Sequence, residues 1–193
     1  MVDVVMRWFV LYARARQLPA AVVAVVVAVG VLGYLAWPGG SPQLGAFGAA
    51  VGVAVVATGL GGHDLALERT AAFGWPPRRA GHLVVGGAVV VVPLVAVGWV
   101  AEPIAAEAFL VRDVVGLGGL AALGAVVFGA RAAWALPVGW AGVTLVVPAA
   151  DEHWLSRLAT WPVQPEGTTS ATVAAVVLGC TGLLVHSWLG CRR

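Results

Sequence analysis

The sequence contains no lysine: all eleven basic residues of the 193-residue chain are arginine. A Walker A phosphate-binding loop and a lysine Schiff base are therefore excluded, because each needs a lysine side chain. Charge of either sign is scarce, since 10% of the residues are charged and 61% are hydrophobic. This balance is typical of membrane proteins rather than of soluble domains, and we expect one compact helical domain over residues 1–193.

Cysteine is also scarce, and its two positions do not favour a disulfide. Cys180 and Cys191 would lie about 16 Å apart on one helix, which is too far for a bridge. The arginines that give the net charge of +2 are scattered through loops. No basic surface with interleaved aromatic residues is evident, so we expect no nucleic-acid partner.

Long apolar runs recur at about the 20-residue length that a transmembrane helix needs. Four runs contain no charge and are each predicted to cross once: 18–37, 44–60, 83–100 and 171–189. Residues 114–150 carry a single charge, at Arg131, and would be about 55 Å long as one helix. We therefore expect two short spans hinged near Arg131. The predicted fold is an all-α integral membrane protein with six transmembrane helices.

The arginines also indicate the orientation. Because basic residues concentrate on the cytoplasmic side of a membrane protein, both termini are expected in the cytoplasm. Only Arg112 and Arg157 fall on the opposite side, and the other nine share the side of the termini: Arg7, Arg14, Arg16, Arg69, Arg78, Arg79, Arg131, Arg192 and Arg193.

Three polar segments flank or join the spans. Residues 2–16 place Asp3, Arg7 and Arg14 within about 40 degrees on a helical wheel and predict an interfacial helix. A signal peptide is the alternative, but no small-residue cleavage site is evident and retention is expected. The segments 101–113 and 151–170 are expected to lie outside. In the latter, Trp154, Leu155, Leu158 and Trp161 are predicted to share one interfacial face.

On this reading every acidic residue lies in a loop or a terminal segment and none lies within a span. That disfavours an ion-coupled carrier and an intramembrane aspartyl protease, because both need ionisable groups inside the membrane. The polar group His63, Asp64, Glu68 and His82 matches no recognised metal-ligand spacing, so no metal is expected there. No catalytic residue is predicted. If the protein is a transporter, its predicted spans have no acidic group to bind a driving ion, and its energy would come from another chain.

The longest polar interruption in the first half of the chain, 61–81, has the signals of a short helix over 64–73. Asp64 can cap its start and Gly74 its end, and Pro76 prevents continuation. Leu65 and Ala72 lie on one side of this helix, and Leu67 and Ala71 lie on the other, as contact between two bodies requires. Glu68 and Arg69 can add polar contacts at the rim.

The stretch DLALERTAAFGWPPRRAGHL, residues 64–83, is similar to the coupling loop in the transmembrane (permease) subunit of bacterial ATP-binding-cassette (ABC) exporters of the type-two permease class. The predicted topology of nearly the whole chain resembles that family, with an interfacial helix before span one and a cytoplasmic coupling helix between spans two and three. The motif itself covers only these twenty residues. The chain is short for the class.

The resemblance implies a subunit of an ATP-driven exporter in the bacterial cytoplasmic membrane, paired with a second, identical or homologous permease subunit. ATP and Mg²⁺ would be held by a separate ATPase, so this chain would need no cofactor and would not itself be an enzyme. The predicted partner-binding residues are Asp64, Leu65, Leu67, Glu68, Arg69 and Ala71.

Spans rich in Val, Ala, Gly and Leu favour a hydrophobic or amphiphilic cargo, such as an antibiotic, a peptide or a lipid. The alternative function is a non-transporting membrane scaffold or an integral-membrane enzyme acting at the inner interface.

Overall fold

A computed structural model of the chain describes residues 7, 11, 17–36, 39–61, 75–147 and 153–192. Every regular element within these residues is helical. The elements in chain order are α1 (Leu18–Leu35), α2 (Pro42–Ala57) with a 3₁₀ turn (Thr58–Leu60), α3 (Trp75–Val100), α4 (Glu107–Phe128), a 3₁₀ turn (Ala130–Ala132), α5 (Ala135–Val146), α6 (Trp154–Ala159), a 3₁₀ turn (Trp161–Val163) and α7 (Thr169–Leu189).

Five of these helices are long and apolar enough to cross a membrane, namely α1, α2 with its 3₁₀ turn, α3, α4 and α7. The chain also breaks near Arg131 as expected, because Gly129 has a φ of 86° and a 3₁₀ turn follows it. However, α5 has 12 residues. Such a helix is about 18 Å long and cannot by itself cross about 30 Å of hydrocarbon.

Local signals in the sequence fix several helix ends. Pro42 occupies the first turn of α2, and the Ser41 side chain before it accepts a hydrogen bond from the Leu44 amide at 3.2 Å. This arrangement satisfies one of the amides that a helix start leaves without a partner. Gly190, with a φ of 72°, ends α7.

The five long helices are unequally buried. Of the most apolar 18 residues in each, 61% are buried in α2 and 67% in α4, against 17–22% in α1, α3 and α7. The core of the bundle therefore lies along α2 and α4. Most residues of the other three long helices are exposed or only partly buried.

The two ends of the bundle differ in charge. One end, here called the arginine end, collects Arg78, Arg79, Arg131 and Arg192. Its parts are joined by contacts between Arg79 and Ser187 and between the Arg192 amide and the Ala125 carbonyl. All four acidic residues that the structure describes lie in the opposite half: Glu102, Glu107, Asp113 and Glu166.

The half opposite the arginine end differs from the expected outer loop. Helix α4 begins at Glu107 rather than near residue 114, so part of the expected outer loop 101–113 is helical. Glu107 and Asp113 consequently lie within a candidate span, and the expectation that no acidic residue does so is wrong. Arg112 explains why the helix tolerates Asp113, because the two side chains form an ion pair at 3.1 Å.

The expected shared face in residues 154–161 is also wrong. Trp154, Leu155 and Leu158 lie on α6 and are exposed, whereas Trp161 lies in the next 3₁₀ turn and is buried. The helix ends at Ala159, one residue before Thr160 and two before Trp161, so the helical spacing behind the prediction does not reach Trp161.

Candidate functional site

The predicted partner-binding residues Asp64, Leu65, Leu67, Glu68, Arg69 and Ala71 all lie outside the described residues, as does His63. The predicted interfacial helix 2–16 also lies outside them, apart from Arg7 and Leu11. What the structure does describe is the position of the flanks. Gly61 lies against Ala130, and α3 starts at Trp75 just before Arg79. Both described flanks, Gly61 and Trp75, therefore lie at the arginine end.

An apolar groove of about 480 Å³ lies between α2, α3, α4 and α7. Its described lining consists of Val, Ala, Gly and Leu residues together with Cys180. A volume of this size is typical of small-molecule sites, which span about 300–1,000 Å³. The groove is the strongest candidate for a ligand site in the described part of the chain.

The groove is open along its side rather than at an end of the bundle. Val84 and Val92 on α3 are 64% and 63% exposed, and Val115 on α4 is 45% exposed. Cys180 on α7, which lines the same groove, is exposed as well. In a membrane these positions face the hydrocarbon, so an apolar molecule could reach the groove laterally from the lipid.

Two glycines leave space in this groove. A Cβ atom added at Gly118 would meet nothing within 4 Å among the described residues, and one at Gly87 would meet the Val114 side chain at 3.8 Å. Larger side chains at these positions would occupy the volume that now forms the groove. The sequence showed both glycines but gave no sign that they face a cavity.

The groove extends on one side to the arginine end. Leu60, Leu83 and Leu183 line the groove, and Arg79 lies one helical turn before Leu83. The Arg79 side chain donates to the Ser187 carbonyl at 3.4 Å, and the Cys191 thiol donates to the Leu60 carbonyl at 3.1 Å. Cys180 and Cys191 are not joined by a disulfide, as the sequence predicted.

A buried polar cluster, here called the Arg112 cluster, lies in the opposite half. Arg112 donates through Nη1 to the Pro165 carbonyl at 3.3 Å, and through Nη2 to the carbonyls of Pro162 at 3.3 Å and Gln164 at 3.0 Å. Its Nε donates to Asp113 Oδ1 at 3.1 Å. The guanidinium carbon also lies 4.7 Å from the centre of the Phe109 ring. One side chain thus fixes the turn 162–165 against α4.

The cluster has a second layer of hydrogen bonds. Thr160 donates to the Ser156 carbonyl at 2.8 Å and accepts from the Gln164 amide at 2.9 Å. Asp113 Oδ2 and Trp161 Nε1 are buried and have no hydrogen-bond partner among the described residues. Sequence analysis missed this cluster because it assigned Arg112 and Asp113 to a loop. An Arg–Asp pair directly before an apolar run was the signal that could have revealed it.

The histidines do not form a metal site in the described region. His82 and His186 are buried on α3 and α7. No group of three or more His, Cys, Asp or Glu side chains that could hold a metal occurs among the residues the structure describes.

The fold defines the class of the protein: it is an all-α, multi-pass membrane protein. Comparison with known proteins does not narrow this class, because no protein-family model, no curated protein and no solved structure matches the chain at a significant level.

Proposed function

We propose that the chain is the membrane-spanning subunit of an ATP-driven exporter of hydrophobic or amphiphilic molecules. The observation that carries this proposal is the apolar groove, whose lining and lateral opening suit a cargo drawn from the lipid phase. A transporter needs such a site at the depth of the membrane. ATP hydrolysis would occur in a separate ATP-binding-cassette subunit, and a second permease subunit would complete the pathway.

The arginine end supplies the orientation in this proposal. Arg78, Arg79, Arg131 and Arg192 collect there, so this end faces the cytoplasm under the rule that arginine and lysine are retained inside. The test uses a protein in which both native cysteines, Cys180 and Cys191, have been replaced. In this background, a cysteine in place of Glu107 should react with an impermeant thiol reagent on intact cells. A cysteine in place of Ala71 should stay unlabelled, and labelling of it from outside would refute the orientation.

A sixth crossing belongs to the same proposal. It is supported by the positions of two helix ends, because α4 ends at the arginine end and α7 begins in the opposite half. We assign this crossing to α5 together with the residues that follow it. Close packing of α5 against α2 would allow a shorter helix to serve, because neighbouring protein rather than lipid surrounds part of it.

The partner contact is assigned to the helix predicted over 64–73, whose described flanks, Gly61 and Trp75, lie at the arginine end. Leu67→Asp should abolish co-purification with an ATP-binding-cassette ATPase, since it would bury an unpaired charge at the contact. Leu67→Met is the matched control, because it keeps an apolar side chain of similar volume.

Both variants should be compared for ATPase recovery and for ATP hydrolysis in reconstituted vesicles. Normal recovery and hydrolysis with Leu67→Asp would refute the exporter proposal. The alternative of an integral-membrane enzyme would then be favoured if His63→Ala or His82→Ala abolished activity.

A further inference from the structure

We propose that the groove binds one acyl chain of an anionic phospholipid, with the lipid phosphate beside Arg79. This inference rests on the proposed exporter function and narrows its cargo to one chemical class. It is carried by the shape of the groove and by the charge at one of its edges.

The shape suits a single acyl chain. The groove runs between helices, opens sideways through Val84, Val92 and Val115, and is lined by aliphatic side chains. Burying an aliphatic chain there needs no hydrogen-bond partner, whereas a peptide or a sugar would leave its polar groups without partners. The lining therefore favours a hydrocarbon chain over the other amphiphiles.

The charge at the two edges of the groove determines the direction in which the lipid lies, headgroup at one edge and chain terminus at the other. At one edge the groove is lined by Leu83 on α3 and Leu183 on α7. Arg79 lies one helical turn before Leu83, and Ser187 lies one turn after Leu183. The Arg79 side chain donates to the Ser187 carbonyl at 3.4 Å. A guanidinium can bind a phosphate through two parallel hydrogen bonds. At the other edge the lining residue next to Asp113 is Val114. Asp113 is buried there and paired with Arg112, so the two charges offset each other and that edge offers a phosphate no uncompensated positive charge among the described residues. The headgroup is consequently placed at the arginine end and the chain terminus towards the opposite half.

The distribution of anionic lipids in the membrane is consistent with this direction of the bound lipid. With the arginine end in the cytoplasm, a lipid bound in this way belongs to the cytoplasmic leaflet. Anionic phospholipids give that leaflet its negative surface potential. The lipid would thus enter the groove laterally with its headgroup already at the depth of Arg79.

The test measures lipid retained by the purified full-length chain, without any ATPase. The protein is mixed with micelles containing equal amounts of dioleoyl phosphatidylglycerol and dioleoyl phosphatidylcholine, which share their acyl chains and differ in headgroup charge. Native mass spectrometry then counts each bound lipid. We expect about a fivefold preference for phosphatidylglycerol, the size expected for one arginine near an anionic headgroup.

Two pairs of variants separate the headgroup from the chain. Arg79→Gln should remove the preference, while Arg157→Gln, in the opposite half, should leave it unchanged. Gly118→Leu should lower retention of both lipids, since it fills the groove from a position with free space. Gly30→Leu is its control, because a Cβ at Gly30 also meets nothing within 4 Å and Gly30 does not line the groove.

A second filling variant and a second readout protect the test against misfolding. Ala88→Leu also fills the groove and should act like Gly118→Leu, and each variant must keep the circular dichroism of the parent. In the parent with Cys191→Ser, phosphatidylglycerol should slow alkylation of Cys180, which lines the groove.

Equal retention of the two lipids by the parent would overturn the inference. So would an unchanged preference in Arg79→Gln, or full retention in a folded groove-filling variant. Because no ATPase is present, these outcomes are independent of the Leu67→Asp association experiment. Failure of the lipid assignment can therefore be distinguished from failure of the exporter proposal.

Discussion

The two faces of α4 use glycine in opposite ways. On the closed face, against α7 and Trp161, a Cβ at Gly119 would collide with the Leu178 carbonyl and lie 2.6 Å from the Gly179 nitrogen. On the open face, towards the groove, a Cβ at the adjacent Gly118 would meet nothing within 4 Å among the described residues. Neighbouring glycines therefore serve close packing in one case and cavity volume in the other.

The difference shows what holds the membrane domain together. Between helices in lipid the hydrophobic effect contributes little, so association depends on close packing and on hydrogen bonds. The closed face has both, since Gly116 and Gly119 permit contact with α7 and Arg112 fixes the turn that carries Trp161. The open face borders the groove, and it is where a ligand can enter.

Arg112→Met should have the largest effect and would loosen the closed face. It removes the hydrogen bonds to the turn 162–165 and leaves Asp113 buried without its ion-pair partner. Loss of one member of a buried ion pair costs about 3–5 kcal/mol. Thermal unfolding in detergent should show a correspondingly lower stability.

Two further variants calibrate this result. Arg112→Met with Asp113→Leu should recover part of the stability, because no unpaired charge is then buried. Arg192→Met should change stability little, although Arg192 also donates to a carbonyl, at Val127, because that contact is exposed. A harmless Arg112→Met would show that the turn is held by packing alone.

The second prediction compares the two adjacent glycines directly. Gly119→Ala should destabilise the protein by about 1–3 kcal/mol, since backbone atoms of α7 would have to move. Gly118→Ala should be neutral or should stabilise α4 by about 0.5–1 kcal/mol through helix propensity. Equal effects of the two substitutions in the same unfolding assay would contradict the assignment of closed and open faces.

The smallest effect is expected for the second layer of the Arg112 cluster. Thr160→Val leaves the Gln164 amide without its 2.9 Å acceptor and should cost about 1–2 kcal/mol. Thr172→Val is matched to it, because Thr172 also donates to the carbonyl four residues earlier, at Thr168, but is exposed. In thermal unfolding, Thr160→Val should lose more stability than Thr172→Val, by more than the error of the assay. A larger loss for Thr172→Val would count against a buried network.

Much of the fold follows from the sequence alone. The apolar runs near 18–37, 44–60, 83–100 and 171–189 predicted four of the five long helices, and the break at Arg131 was also expected. These features are local, because length, hydropathy and helix breakers act within one segment. The start of α4 escaped prediction because the charges of Arg112 and Asp113 looked like a loop when considered without their partners.

The candidate site was less accessible to sequence reasoning. The pattern around 64–73 suggested a partner contact, which lies outside the described residues and stays a prediction. The groove could not be predicted from the sequence. It depends on which glycines of α3 and α4 pack against another helix and which border the cavity, and that is decided by tertiary packing.

What the sequence determined by itself is therefore the class: a lysine-free, apolar chain whose long runs form helices of membrane-spanning length. What only the tertiary structure decided is how those helices meet. It turned Gly119 towards α7 and Gly118 towards a groove, and it brought Arg112 within hydrogen-bond distance of the carbonyls of Pro162, Gln164 and Pro165, about 50 residues later in the chain. The physical reason is that hydropathy is a property of one segment, whereas close packing and the pairing of buried charge require a second segment at contact distance.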